Sequence, residues 1–155
     1  MLVDVSNMYH SAKNLYHKRV NYKEVLKDVV AGRKLIRAIA YVIKTESEEE
    51  MPFFEALSQQ GFEVRMKDLQ IFAGGAKKAD WDVGIAMDAI KLARNLDVIV
   101  LVSGDGDYLP LMNYLQSTTG CLVEIAGFRQ TTSSKLIEEA DDFINLSENK
   151  KKFLI

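Results

Sequence analysis

A continuous apolar run, Val98-Ile-Val-Leu-Val102, passes without a break into Ser103-Gly-Asp-Gly-Asp-Tyr108. A run of that kind has no polar face to offer to water. It reads as a strand buried on both sides, as in a parallel sheet covered by helices. The small and acidic residues after it read as a loop at the strand's carboxyl end, the edge where open α/β sheets bind ligands. Asp105 and Asp107, one glycine apart, repel each other unless something positive lies between them. A hard divalent cation such as Mg²⁺ or Mn²⁺ takes oxygen ligands of this kind. Gly and Asp are also common turn residues, so a solvated acidic turn accounts for the same stretch.

Other apolar segments fall at regular intervals along the chain. Leu2-Val-Asp-Val5 is short and β-like, residues 35–43 are rich in apolar and β-branched side chains, and Phe62-Glu-Val-Arg-Met66 alternates. Residues 121–126 are nearly continuous, and Asp142-Phe-Ile-Asn-Leu146 forms a last short piece. Between them, residues 22–30, 48–60, 80–95, 109–116 and 133–140 carry apolar positions at helical spacing. Strands alternating with helices predict βαβ units, a mostly parallel sheet and a three-layer α/β/α sandwich. Gly74-Gly75 with Lys77-Lys78 reads as a flexible basic loop.

The length of 155 residues suits one domain with a real core. A net charge of −2 makes no overall electrostatic case for nucleic acid and leaves room for a local basic face. One cysteine, Cys121, excludes an internal disulfide and reads as a buried thiol. No apolar run approaches the roughly 20 residues needed to cross a bilayer. Without a basic segment leading into an apolar stretch at the start, cytoplasmic location is the default expectation.

If a metal sits at the Asp105 edge, further carboxylates should converge there. Asp4 lies at the end of the first strand, which in a doubly wound sheet is central and ends at the topological switch point. A charge inside Leu-Val-Asp-Val is costly unless it is paired or bound to a metal. Asn7 could orient a ligand, a water or Asp4 itself. Asp80 and Asp82 open a helix, where one of the two is expected as a cap. Asp88 is six residues past Asp82, about 9 Å along and roughly 120° around the helix, too far to share a metal with it. It belongs behind the site or on a solvated face. Asp4, the Asp80/Asp82 pair and Asp105/Asp107 thus reach one edge from distant parts of the chain. The chemistry that suits them is metal-assisted phosphodiester hydrolysis. His10 and His17 read as surface or partly packed histidines.

These residues also resemble a family. Leu2-Val-Asp-Val-Ser-Asn-Met-Tyr9 resembles the opening motif of NYN domains, members of the PIN-like nuclease superfamily. Residues 78–88 resemble the middle motif, with Asp82 and Asp88 on its acidic positions, and residues 102–111 resemble the third. Ala140-Asp-Asp-Phe-Ile-Asn-Leu146 resembles the final strand motif. The four segments occur in the expected order. The departure is a curtailed first strand. The resemblance implies a PIN-like, Rossmannoid domain over residues 1–147, with 148–155 as a tail that frays or docks on a partner. It implies a Mg²⁺- or Mn²⁺-dependent ribonuclease site. Asp4, Asp82, Asp105 and Asp107 would ligate the metal, Asn7 and Ser103 would support them, and Asp80 and Asp88 would be auxiliary.

RNA calls for positive charge and often for aromatic platforms. Lys13, Lys18 and Arg19 follow the first motif, with Tyr9 and Tyr16 among them; Lys77 and Lys78 precede the second, and Arg129 follows the fifth strand. Lys13, Lys77, Lys78 and Arg129 are the expected RNA contacts along a groove over the acidic edge. Trp81 reads as half-buried against the sheet. A non-catalytic RNA-binding or regulatory module on the same fold is the alternative. A haloacid-dehalogenase-type phosphatase is disfavoured by Ser6, which stands where its second Asp is needed. A receiver-type phospho-switch lacks its late lysine. A homodimer would enlarge the binding surface of so small a domain, and no residue in the sequence decides it.

Overall fold

The computed structural model describes residues 1–155, the side chain of Lys78 excepted. The chain runs β1 (Leu2–Asp4), α1 (Val5–Tyr16), α2 (Tyr22–Val30), β2 (Ile39–Lys44), α3 (Met51–Gln59) and β3 (Glu63–Asp68). A small hairpin of β4 (Gln70–Ile71) and β5 (Lys77–Lys78) leads to α4 (Asp82–Ala93) and β6 (Val98–Val102). Then come α5 (Leu109–Tyr114), β7 (Leu122–Gly127), α6 (Ser134–Glu139), β8 (Asp142–Asn145) and α7 (Lys150–Phe153).

Six strands form one parallel sheet in the order β3-β2-β1-β6-β7-β8. From β1 the chain winds outward through β2 and β3, then returns to the other side of β1 for β6, β7 and β8. The direction reverses between β1 and β6, and a crevice opens between their carboxyl ends. Leu2 lies opposite Leu101 and Val3 opposite Val102, so Asp4 emerges beside Ser103.

The period-two alternation of the strands sorts their side chains between two cores. Val3, Ala40, Val42, Val100 and Val102 pack under α1, α2 and α3 through Met8, Val25, Phe54 and Leu57. Leu2, Ile39, Tyr41, Ile99 and Leu101 pack under α4, α5 and α6 through Ile85, Met112 and Leu136. Helices therefore cover both faces, the α/β/α sandwich the sequence predicts.

Three segments differ from expectation. β2 begins at Ile39, whose N–H bonds to Met1 O at 2.9 Å; Leu35 and Ile36 lie before that register and stay exposed. The Gly74-Gly75 segment is the turn of the β4–β5 hairpin. Both glycines have positive φ, +93° and +85°, and Phe72 and Ala76 close the turn with a 2.7 Å hydrogen bond. The last residues, expected as a tail, pack against the domain. Phe153 and Leu154 are buried, Arg19 and Ile155 exchange two 2.8 Å backbone hydrogen bonds, and Lys152 is paired with Asp28. No helix is long and apolar enough to cross a membrane.

Candidate metal centre

Asp4 is both the last residue of β1 and the cap of α1. Its Oδ1 accepts the Asn7 backbone N–H at 3.1 Å, which fixes the carboxylate at a helix N-terminus. Its Oδ2 faces Ser103 Oγ at 3.5 Å and the Tyr108 hydroxyl at 3.3 Å. Asn7 Oδ1 in turn accepts the Gly104 N–H at 3.0 Å. The loops following β1 and β6 are thereby stitched together at the switch point. Gly104 is required here by close approach. A Cβ at this position would sit 2.4 Å from Thr131 O, and Gly104 O accepts the Ser133 N–H at 2.9 Å.

Beyond Gly104 the chain turns sharply. Asp105 N donates to Ser103 Oγ at 3.2 Å, and Asp105 Oδ1 accepts the Asp107 N–H at 2.9 Å, opening a short 3₁₀ turn over Gly106–Tyr108. Asp82 arrives on the first residue of α4, and Asp80 Oδ1 accepts its N–H at 3.1 Å. Asp80 is thus the acid that closes this turn. Asp82, Asp105 and Asp107 each present a carboxylate oxygen, and these atoms lie within 4.8 Å of one another. Asp4 stands behind this trio.

Tyr108 joins the two parts. Its ring is buried, and its hydroxyl lies 3.1 Å from Asp82 Oδ1 as well as 3.3 Å from Asp4 Oδ2. One phenolic proton therefore serves two carboxylates. Burial, followed by the charges of Asp4 and Asp82, pushes the phenol far above its ordinary value, so it stays a donor. Burial also holds the Asp4 carboxyl above its usual range, against the opposing pull of the Asn7 N–H and with help from the Asp82 charge. Asp82 is raised in the same direction, first by burial, with Asp80, Asp105 and Asp107 adding repulsion against the Tyr108 hydrogen bond. Among the described residues, none of Asp4, Asp82, Asp105 or Asp107 has an ion-pair partner. Such a set of oxygens, crowded and unneutralised, fits a hard divalent cation.

A cleft of about 370 Å³ opens over this centre. Asp4, Asp82 and Asp105 line it with Ser6, Asn7, His10 and Asn14 of the α1 side, and with Trp81 and Thr131. A second hollow of about 330 Å³ lies at the amino edge of the sheet, between Leu2, Val29, Leu35 and Val100, away from any of these carboxylates.

The other residues singled out from sequence take varied places. Asp88 accepts from Tyr41 Oη at 2.7 Å and Arg65 Nη1 at 2.6 Å. It is neither solvated nor bonded to the acidic trio, because its position on α4 turns it toward β2 and β3. Trp81 is half-buried; its Nε1 donates to Val42 O at 2.9 Å, and Lys67 Nζ sits 4.3 Å from its ring centre. Lys13 Nζ donates to Tyr9 Oη at 3.3 Å on the outside of α1. Lys13, Lys77 and Arg129 are not among the residues lining the cleft, and the side chain of Lys78 lies outside the described residues. Sequence reasoning misses Tyr108. Its signal is its place directly after Asp107 in a loop otherwise built of small and acidic residues.

An acidic centre at the switch point of a parallel α/β/α sheet defines the class. The NYN domain profile matches residues 1–147, and the chain belongs to that family, with its PIN-like nuclease fold. The crystal structure of a protein of unknown function from Vibrio parahaemolyticus is similar to this chain at 34% identity. The match covers 99% of this chain and 93% of that one, with a TM-score of 0.90. A PLP-bound putative aminotransferase from Clostridium difficile matches over 79% of this chain and 34% of its own at 10% identity, with a TM-score of 0.27. A comparison with curated proteins finds no match.

Proposed function

We propose that this chain is a divalent-metal-dependent ribonuclease. The observation that carries the reading is the convergence of Asp82, Asp105 and Asp107, whose oxygens lie within 4.8 Å of one another, with Asp82 and Asp105 lining an open cleft. These three would hold Mg²⁺ or Mn²⁺, with Asp4 completing the negative charge behind them. The ion, when bound, would lower the pKa of a water and stabilise developing charge on the phosphate. Tyr108 keeps Asp4 and Asp82 apart at fixed orientation. Ser103 and Asn7 hold the two loops in register, and Asp80 closes the turn that delivers Asp82. RNA is the substrate class that family membership favours. Lys13, Lys77, Lys78 and Arg129 would contact its phosphates outside the cleft.

Cleavage of end-labelled single-stranded RNA tests this, with Mn²⁺, Mg²⁺ or EDTA, for wild type, Asp82→Asn and Asp105→Asn. Metal-dependent cleavage that both variants lose supports the assignment. An inert wild type that still binds RNA favours a regulatory module. Activity that survives both substitutions does not come from this centre.

A further inference from the structure

Asn7, His10, Ser11 and Asn14 stand at i, i+3, i+4 and i+7 on α1, the spacing of one helical face. Met8 and Ala12, on the adjoining face, are buried in the core. The polar face lines the cleft over the acidic centre. Ser11 is the unusual member, because it is only 7% exposed. A serine inside a helix often returns its hydroxyl to the carbonyl four residues back. Ser58 does so to Phe54 O at 3.3 Å, and Ser117 to Asn113 O at 2.8 Å. The Ser11 hydroxyl makes no hydrogen bond among the described residues, yet no side-chain polar atom sealed from solvent lacks a partner there. Its hydroxyl therefore opens on the cleft that Ser11 lines. Asn7 spends its Oδ1 on the Gly104 N–H, and its amide nitrogen is free beside it.

The chemistry of the cleft narrows what that hydroxyl meets. Among the described residues no lysine or arginine lines the cleft, whereas Asp4, Asp80, Asp82 and Asp105 do. A phosphate is repelled there unless a cation on the carboxylates offsets the charge. The α1 wall, built of amide and hydroxyl groups, suits the neutral part of a nucleotide. Ser11 lies four residues, about 6 Å along the helix, from Asn7 at the centre, within the span of one nucleotide. The neutral group of RNA nearest to a phosphate over the carboxylates is the 2′-hydroxyl, one carbon away from the oxygen that carries that phosphate. It donates and accepts, as a serine hydroxyl does. A deoxyribose in the same place leaves the Ser11 hydroxyl without that partner, and a site built around such a bond rejects the analogue that lacks it. We infer that the α1 face is a ribose subsite, in which Ser11 binds the 2′-hydroxyl next to the scissile phosphate and selects RNA over DNA. The inference rests on the ribonuclease reading for its substrate, and it concerns binding rather than bond cleavage.

Fluorescence anisotropy of the full chain with labelled oligo(U) and oligo(dU) of equal length, in Mg²⁺ and again in Ca²⁺, tests the inference. The two probes share their bases and differ in the 2′-hydroxyl. Wild type should bind oligo(U) about tenfold more tightly, the worth of one good hydrogen bond. Ser11→Ala, which keeps the helix and removes only the hydroxyl, should bring that ratio below about twofold. A general effect of sugar pucker or of a perturbed helix would leave the ratio as it is in wild type. A wild type without preference, a wild type that binds neither probe, or a preference that Ser11→Ala retains overturns the proposal. Its failure is separate from that of the ribonuclease reading. Metal-dependent RNA cleavage with no Ser11-dependent preference removes only the ribose subsite. A chain that cleaves nothing, yet loses its preference for oligo(U) in Ser11→Ala, removes only the catalytic reading.

Discussion

Replacing Tyr108 with phenylalanine keeps the ring in the core and removes one hydroxyl from between Asp4 and Asp82. A hydrogen bond to a charged group contributes about 1.5–3 kcal/mol net. In this site a single proton is divided between oxygens at 3.1 and 3.3 Å, so it counts once. Both distances exceed the ~2.6 Å of a tight hydroxyl–carboxylate bond, which points to the lower part of that range, about 1.5–2 kcal/mol. For a chain of this size each kcal/mol moves the melting temperature by about 2–4 °C, so Tyr108→Phe should melt about 3–8 °C below wild type. Calorimetry in metal-free buffer reads the difference. The same variant should bind Mn²⁺ more weakly, because Asp82 loses a contact that orients it. Melting at or above the wild-type temperature, with unchanged Mn²⁺ affinity, would refute the positioning role.

The acidic centre should also govern how stability depends on pH. Burial raises the Asp4 and Asp82 carboxyls above their ordinary value of 3.8. A raised acid binds its proton more tightly in the folded state. Its contribution is therefore present below the unfolded value and is lost as pH rises through the folded one. Metal-free protein should lose stability from this source as pH rises above the ordinary carboxyl value of 3.8, and Mg²⁺ should restore it. Asp82→Asn should flatten that profile and abolish the Mg²⁺ effect; a metal-free Tm profile identical to wild type would contradict burial of this carboxylate as the cause. At the other end of the chain, Phe153→Ala should cost about 3–5 kcal/mol in urea unfolding. A loss of under about 1 kcal/mol would mean that α7 does not share the core.

The sheet was legible because fully buried strands admit little else. Val98–Val102 has no polar position, and Val3, Ala40 and Val42 face one core while Leu2, Ile39 and Tyr41 face the other. The carboxylates could be traced because a strand's carboxyl end is an identifiable place in sequence. α1 was harder, since Asp4, the residue that starts it, also ends β1, and its buried face is interrupted by Ser6, Asn7 and Tyr9. The role of Asp88 could not be read, because its partners Tyr41 and Arg65 lie 47 and 23 residues away. Tyr108 escaped for a related reason. An aromatic residue entering a helix reads as packing, and only the folded geometry brings its hydroxyl between two distant acids.

Diffraction from Mn²⁺-soaked crystals, recorded at the manganese absorption edge, tests the metal centre directly. An anomalous peak among the carboxylates of Asp82, Asp105 and Asp107, absent in Asp105→Asn, is the predicted result. A soaked crystal with no peak there, or one whose Mn²⁺ binds elsewhere while RNA is still cleaved, would contradict it.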